Sequence, residues 1–235
     1  MEPIVAPNPM DAYPPGQMAR LVEAVGVRKA SLPTLQTLML GFLAGAFIAF
    51  GAALFVVIGV DSTLGWGPTR LLAGLAFSLG LILVVIGGAE LFTGNSLIVM
   101  AWADGKVSLG ALARNWALVY VANFAGAVAV AVAIAVSGGF ASNPNVAASA
   151  IRIAETKAAL DPGAAFVRAI LCNVLVCLAV WLSFAAHSVT DKILAIPLPI
   201  AAFVALGFEH SVANMFFLPL GWMLGSAKVG LAGLA

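Results

Sequence analysis

The chain has 235 residues, 63% of them hydrophobic and only 9% charged, with a mean hydropathy of +1.09. A water-soluble domain needs a polar exterior, which this composition does not supply, so the chain reads as an integral membrane protein. The net charge of +1, with no basic run interleaved with aromatics, argues against a nucleic-acid partner.

In chain order, Met1 to Pro15 carries five of the twelve prolines and is expected to be an extended tail. Met18, Leu21, Val22 and Val25 then fall at helical spacing, with Arg20, Glu23, Arg28 and Lys29 mostly off that stripe. This predicts a short amphipathic helix lying on the membrane surface or against the bundle's mouth. Residues 1–30 are therefore set apart as tail and helix, and residues 31–235 as a transmembrane pore domain. The apolar run that follows is far too long for a signal-peptide core and should stay in the mature protein.

Five spanning segments follow, each near or above the roughly 20 residues a bilayer requires. They run from about Leu32 to Val60, Leu71 to Met100, Trp116 to Val136, Ala164 to Ala186 and Ile193 to Leu224. The second and fifth are too long for one straight crossing, and each is broken by an ionisable residue. Glu90 is followed by Asn95, and Glu209 with His210 is followed by Asn214. An ionisable group inside a membrane segment is costly and normally retained for function or an internal partner. Matched interruptions in two halves point to an inverted repeat with a pathway at the midplane, formed by half-helices joined by irregular backbone. The fold class is an all-α membrane bundle with two broken helices. Gly41, Gly45 and Ala49 allow close helix approach.

Between the third and fourth spans, Val146 to Leu160 predicts a short helix at the surface, with Lys157 as its residue of interest. Cys172 and Cys177, five apart in an apolar stretch, lie on different helix faces and fit neither a metal site nor a disulfide framework. The basic pair Arg28–Lys29 before the first span favours a cytoplasmic N-terminus.

Four strings carry a specific resemblance. They are Ala89-Glu90-Leu91-Phe92-Thr93-Gly94-Asn95, Asn115-Trp116 with Asn123, Cys172-Asn173 through Trp181, and Gly207-Phe208-Glu209-His210-Ser211-Val212-Ala213-Asn214-Met215-Phe216. They resemble the formate/nitrite transporter family, most closely its formate channels, over nearly the whole chain. The resemblance implies an aquaporin-like fold of six spans, a homopentamer with one pore per protomer, and passage of small monovalent anions across a bacterial-type inner membrane. It places the central pore pair on Thr93 and His210 and an outer-mouth lysine on Lys157. It places polar pore positions on Asn173 and Asn214. Leu81, Leu91 and Phe92 would form the inner constriction, and Phe77 and Phe203 the outer one. It also leads to the expectation of a sixth apolar stretch beyond Ala235, since five spans are visible here. His187 stands where the formate channels usually carry an arginine.

The chemistry of these residue types fits. Desolvation is the main barrier for a small anion in an apolar constriction. Lys157 would draw anions to the entrance, half-helix N-termini would offer N–H donors, and Thr93 and Asn173 would replace water around a carboxylate. His210 would donate a hydrogen bond or pass a proton to the guest; both readings stand at this stage. Glu90 and Glu209 are expected to brace the broken backbone, because an anionic wall would repel an anion.

The leading expectation is thus a formate channel, with nitrite or hydrosulfide as alternatives within the family. A neutral-solute facilitator of the aquaporin or ammonia type is the alternative of another class. An intramembrane enzyme lacks its nucleophile or metal motif. No cofactor or metal is expected.

Overall fold

The computed structural model describes residues 12–229. The expected tail lies mostly outside this range, as does the stretch beyond Val229. The described residues are helical, with no strand among them.

Helix α1 (Pro15–Ala30) starts with proline at its first position, where a missing N–H costs nothing. It buries Met18, Val22, Gly26 and Ala30, a strict i, i+4 row. Leu21 is exposed instead, a correction to the expected stripe: α1 docks on a short helix through Gly26 rather than lying on lipid. Helix α2 (Thr34–Ile58) is the first span. Helix α3 (Trp66–Gly87) is long enough to cross alone, and the second segment's break follows it, with α4 (Phe92–Asn95) and α5 (Ile98–Ala103) beyond.

Helix α6 (Leu109–Ser137) begins earlier than the expected Trp116, because Arg114 and Asn115 are absorbed by specific partners. Arg114 Nη2 donates to Thr34 Oγ1 at 2.7 Å, and Asn115 bonds within the first break. Ser108 caps this helix by accepting the Ala111 N–H. Helix α7 (Pro144–Ala158) is the expected surface helix, capped by Asn143. Helix α8 (Pro162–Ser183) is the fourth span. The fifth segment is divided three ways: α9 (Val189–Ala195) with a Ser188–Asp191 capping box, α10 (Pro197–Ala205), and α11 (Ser211–Met223).

Helices α2 and α6 pack along one another, and glycine makes this possible. A Cβ on Gly45 would collide with the Asn123 backbone, and one on Gly126 with the Phe42 carbonyl. A single core cluster joins α2, α3, α6, α8, α10 and α11 around both breaks. A smaller one seats α1 against Ile98, Ala101 and Leu112.

Candidate anion pathway

Both breaks turn on a left-handed glycine: Gly88 at φ 71° and Gly207 at φ 73°. Only glycine adopts this conformation without strain, so each unbroken apolar run is interrupted where its sequence permits. Immediately beyond each glycine lies a buried glutamate, Glu90 at 3% exposure and Glu209 at 8%.

Each glutamate is held by one lysine and one asparagine. Lys29 Nζ donates to Glu90 Oε1 at 2.7 Å, and Asn95 Nδ2 donates to Glu90 Oε2 at 2.7 Å. Lys157 Nζ donates to Glu209 Oε2 at 2.7 Å, and Asn214 Nδ2 donates to the same oxygen at 2.9 Å. A buried carboxylate needs such charge-assisted partners to remain ionised. The expectation that the glutamates brace the backbone needs refinement. Their carboxylates bind side chains, and the backbone of the first break is braced by Asn123 instead. Its Oδ1 accepts the Phe92 N–H at 2.9 Å, while its Nδ2 donates to the Glu90 and Gly41 carbonyls at 2.9 and 2.7 Å.

At the centre, Thr93 Oγ1 lies 3.3 Å from His210 Nε2, with both residues buried. His210 also caps α11: its Nδ1 accepts the Ala213 N–H at 3.1 Å. That bond occupies the Nδ1 lone pair and fixes the neutral tautomer with hydrogen on Nε2, facing Thr93. On one side of this pair, the rings of Phe77 and Phe203 lie 5.6 Å apart, and Phe203 stacks on His210 at 5.7 Å. On the other side lie Leu81 and Leu91, each 2% exposed.

A cavity of about 270 Å³ opens outward from His210, Phe77 and Phe203, lined by Lys157, Arg70, Arg152 and Arg168. A second, of about 230 Å³, opens from Leu81, Leu91 and Gly94 at the α1 end, lined by Arg28, Lys29, Lys192 and Glu90. Phe77 and Leu81 stand one turn apart on α3, so the cavities face each other across the central pair.

Of the expected pore residues, Asn214 is held in the second triad and lines neither cavity, and two others sit elsewhere. Phe92 packs edge-on against Tyr120 at 4.9 Å and Trp116 at 6.4 Å, outside both cavities. Asn173 donates to Ser96 Oγ at 3.0 Å, just past the end of α4, which carries Thr93. Both line a separate groove between α4 and α8. Cys177 Sγ rests 3.6 Å from the Thr93 carbonyl, and Cys172 is buried. The half-helix N-termini are less free than expected, because the Phe92 and Ala213 N–H groups are taken by Asn123 and His210.

Sequence reasoning missed the site role of Lys29, reading it as a residue off the α1 stripe and as half of the basic pair before the first span. One signal could have found it. Lys29 and Lys157 each stand five residues before the first residue of the following span, Thr34 and Pro162. Together with the equal Glu-to-Asn spacing, that marks the same triad in each half of an inverted repeat. Asn123 was noticed as part of a motif, and its role as the brace of the break was not.

Comparison with known proteins agrees with this arrangement. The family model described as formate/nitrite transporter matches residues 16–235. The formate channel FocA of Escherichia coli (strain K12) is 40% identical over 218 residues, covering 92% of this chain and 76% of the relative. A probable formate transporter of Methanothermobacter thermautotrophicus is 43% identical over 229 residues, covering 90% of this chain and 84% of the relative. A solved pentameric formate channel with formate bound superposes with a TM-score of 0.79 at 36% identity, covering 85% of this chain and 86% of its own. An FNT family ion channel superposes with a TM-score of 0.84 at 31% identity, covering 93% and 88%. With sequence and fold matching over most of both partners, the chain belongs to the formate/nitrite transporter family.

Proposed function

We propose that the protein is a membrane channel for small monovalent anions, formate foremost, with one pore per protomer of a homopentamer. One observation carries the reading: two cavities rimmed by cations face each other across an apolar ring whose polar atoms are those of Thr93 and His210. An anion gathered in either cavity meets Phe77 and Phe203, or Leu81 and Leu91, and must shed water there. That loss is the barrier. At the centre, the Thr93 hydroxyl and the His210 Nε2–H supply two donors that replace part of the lost hydration. The pair matches the two oxygens of a carboxylate.

The His210 geometry favours hydrogen bonding over proton relay. Protonating Nδ1 would break the cap on Ala213 and set two N–H groups against each other. Giving up the Nε2 proton would leave an imidazolate in a buried site. Lys157 and Lys29 act as halves of buried ion pairs, so each draws an anion with a partly neutralised field rather than as a bare charge.

The pentamer is supported by the assembly state of the solved relative. A cytoplasmic N-terminus is supported by Arg28 and Lys29 at the head of the first span. The cavity of Lys157 then faces outward.

Purified protein in liposomes loaded with radiolabelled formate tests the proposal. Saturable formate efflux, with nitrite and hydrosulfide competing and glycerol permeability unchanged, is the expected result. Glycerol flux without formate flux would overturn it in favour of a neutral-solute facilitator.

A further inference from the structure

The cavity on the Lys157 side holds more positive charge than a passage for a monovalent anion requires. Lys157 is already paired with Glu209. The guanidinium groups of Arg70, Arg152 and Arg168 line the same cavity, and none of the three forms an ion pair among the described residues. They come from three different helices, α3, α7 and α8, so no single surface stripe explains their convergence.

Arg70 is the most constrained. It is half-buried, its Nη2 donates to the Val204 carbonyl at 2.5 Å, and its Cζ lies 5.8 Å from the Phe55 ring centre. Its Nε is buried without a partner. The carboxylate that shares this cavity, Glu209, is already held by Lys157 and Asn214, so a half-buried guanidinium with an idle donor is left room for a counter-ion of its own. Arg152 and Arg168 are exposed at the rim, free to swing toward one. Arg168 also gives its carbonyl to the Glu209 N–H at 3.4 Å, which ties the rim to the second break.

From this convergence we infer that Arg70, Arg152 and Arg168 form a binding site for a divalent tetrahedral oxyanion of the sulfate or hydrogen-phosphate class, seated in the cavity outside the Phe77–Phe203 ring. Guanidinium forks match oxyanion edges in pairs, which ammonium groups do not. The cavity of about 270 Å³ has room for the ion and several waters, each water taking about 30 Å³ of liquid. Such an ion binds but does not cross. Desolvation cost grows as the square of the charge, and a single proton leaves the ion still charged in the apolar ring. An occupied site therefore puts a negative charge at the mouth and excludes the monovalent anion from it.

The binding part stands apart from the transport reading; the blocking part rests on it. Calorimetric titration of sodium sulfate into the whole protein in neutral detergent, with ionic strength held by sodium chloride, tests the first. Saturable binding is expected, weakened about tenfold in Arg152→Ala and in Arg168→Ala by loss of one charge-assisted contact each. Arg168→Lys should recover only part of the loss, since charge returns without the fork. No saturable binding, or equal affinity in wild type and both alanine variants, would overturn the site. The second measurement is the ratio of formate flux with and without sulfate on the Lys157 side. A ratio below one in wild type that returns to one in the Arg152→Ala/Arg168→Ala double variant supports the block. A wild-type ratio of one beside intact sulfate binding overturns the block alone. Absent formate flux in every variant, with sulfate binding intact, would count against the transport reading and leave the site standing.

Discussion

At the first break, Glu90 is tied to Lys29 and Asn95, and α6 then closes around the break. Asn115 Oδ1 accepts from Asn95 Nδ2 at 2.9 Å, Trp116 Nε1 donates to the Asn95 carbonyl at 3.0 Å, and Asn123 holds the backbone in three places. At the second break, the equivalent Lys157–Glu209–Asn214 triad has no such helix beside it among the described residues. There the Asn214 Oδ1 is buried without a partner among the described residues, and His210 caps α11 through the Ala213 N–H. Among the described residues, then, the same charges in the same register are reached by α6 amides at one break, and at the other a ring nitrogen that also faces the pathway caps the half-helix.

The largest effect that would test this difference is the loss of Asn123. Asn123→Ala strands the Phe92 N–H and two carbonyls in a buried site, each an unmet group of order 1–3 kcal/mol. A loss of about 2–4 kcal/mol is expected, read as a large drop in detergent melting temperature and in folded yield. Asn214→Ala should cost about 1 kcal/mol, because it removes the single bond to Glu209 Oε2. Equal losses in the two variants would show the breaks to be supported alike.

The next effect concerns the triads themselves. Lys157→Ala removes the cation from the mouth and leaves Glu209 without its ion-pair partner, so formate flux should fall at least tenfold and stability by about 3 kcal/mol. Adding Glu209→Gln should restore most of the stability by removing the orphaned charge, while flux stays low because the cation is gone. Lys29→Ala should behave in the same way at the α1 end, with Glu90→Gln as its rescue. A double variant that recovers flux together with stability would assign the lysines a purely structural role.

How far the sequence revealed this arrangement depends on the signal each residue left. The breaks were legible, because a glutamate in an apolar run is conspicuous and the Glu-to-Asn spacing repeats. The spans were legible by length, except where Arg114 and Asn115 made α6 look as if it began seven residues later than it does. Hydropathy cannot anticipate that Thr34 and Asn95 will absorb those polar groups. Lys29 was hidden because periodicity assigned it to the outer face of α1, and a salt bridge across 61 residues leaves no local trace. The turn of the Phe92 ring toward Tyr120 and Trp116 was hidden for a related reason. Position in a motif says that a ring is near the break, and only packing says which way it turns.

A moderate effect is expected at His210. Asn is a good helix cap, so His210→Asn should keep the Ala213 N–H satisfied and the fold intact. It retains a donor toward Thr93 but loses the ring that stacks on Phe203. Formate flux should persist within about tenfold while discrimination against larger monocarboxylates weakens, since the ring narrows the passage. In the wild type, nitrogen-15 spectra should show the proton on Nε2. A proton on Nδ1 would contradict the capping geometry and reopen proton relay through this residue.

The smallest effect on transport should come from Phe92. If its ring is part of the α4–α6 contact rather than the constriction, Phe92→Leu removes edge-on contacts to Tyr120 and Trp116 and lowers stability by about 1 kcal/mol. Formate flux per folded protomer should stay within about twofold of wild type, because the substitution touches neither cavity. Leu81→Ala and Phe203→Ala make the contrast, since each widens the apolar ring beside Thr93 and His210 and should raise flux or relax size selection. The three variants are compared at equal reconstituted protein, with folded fraction measured separately. A Phe92→Leu channel that conducts like the Leu81→Ala channel would place Phe92 at the constriction after all. It would also mean that α4 turns relative to α6 when an anion passes, since in this structure the ring points away from the path.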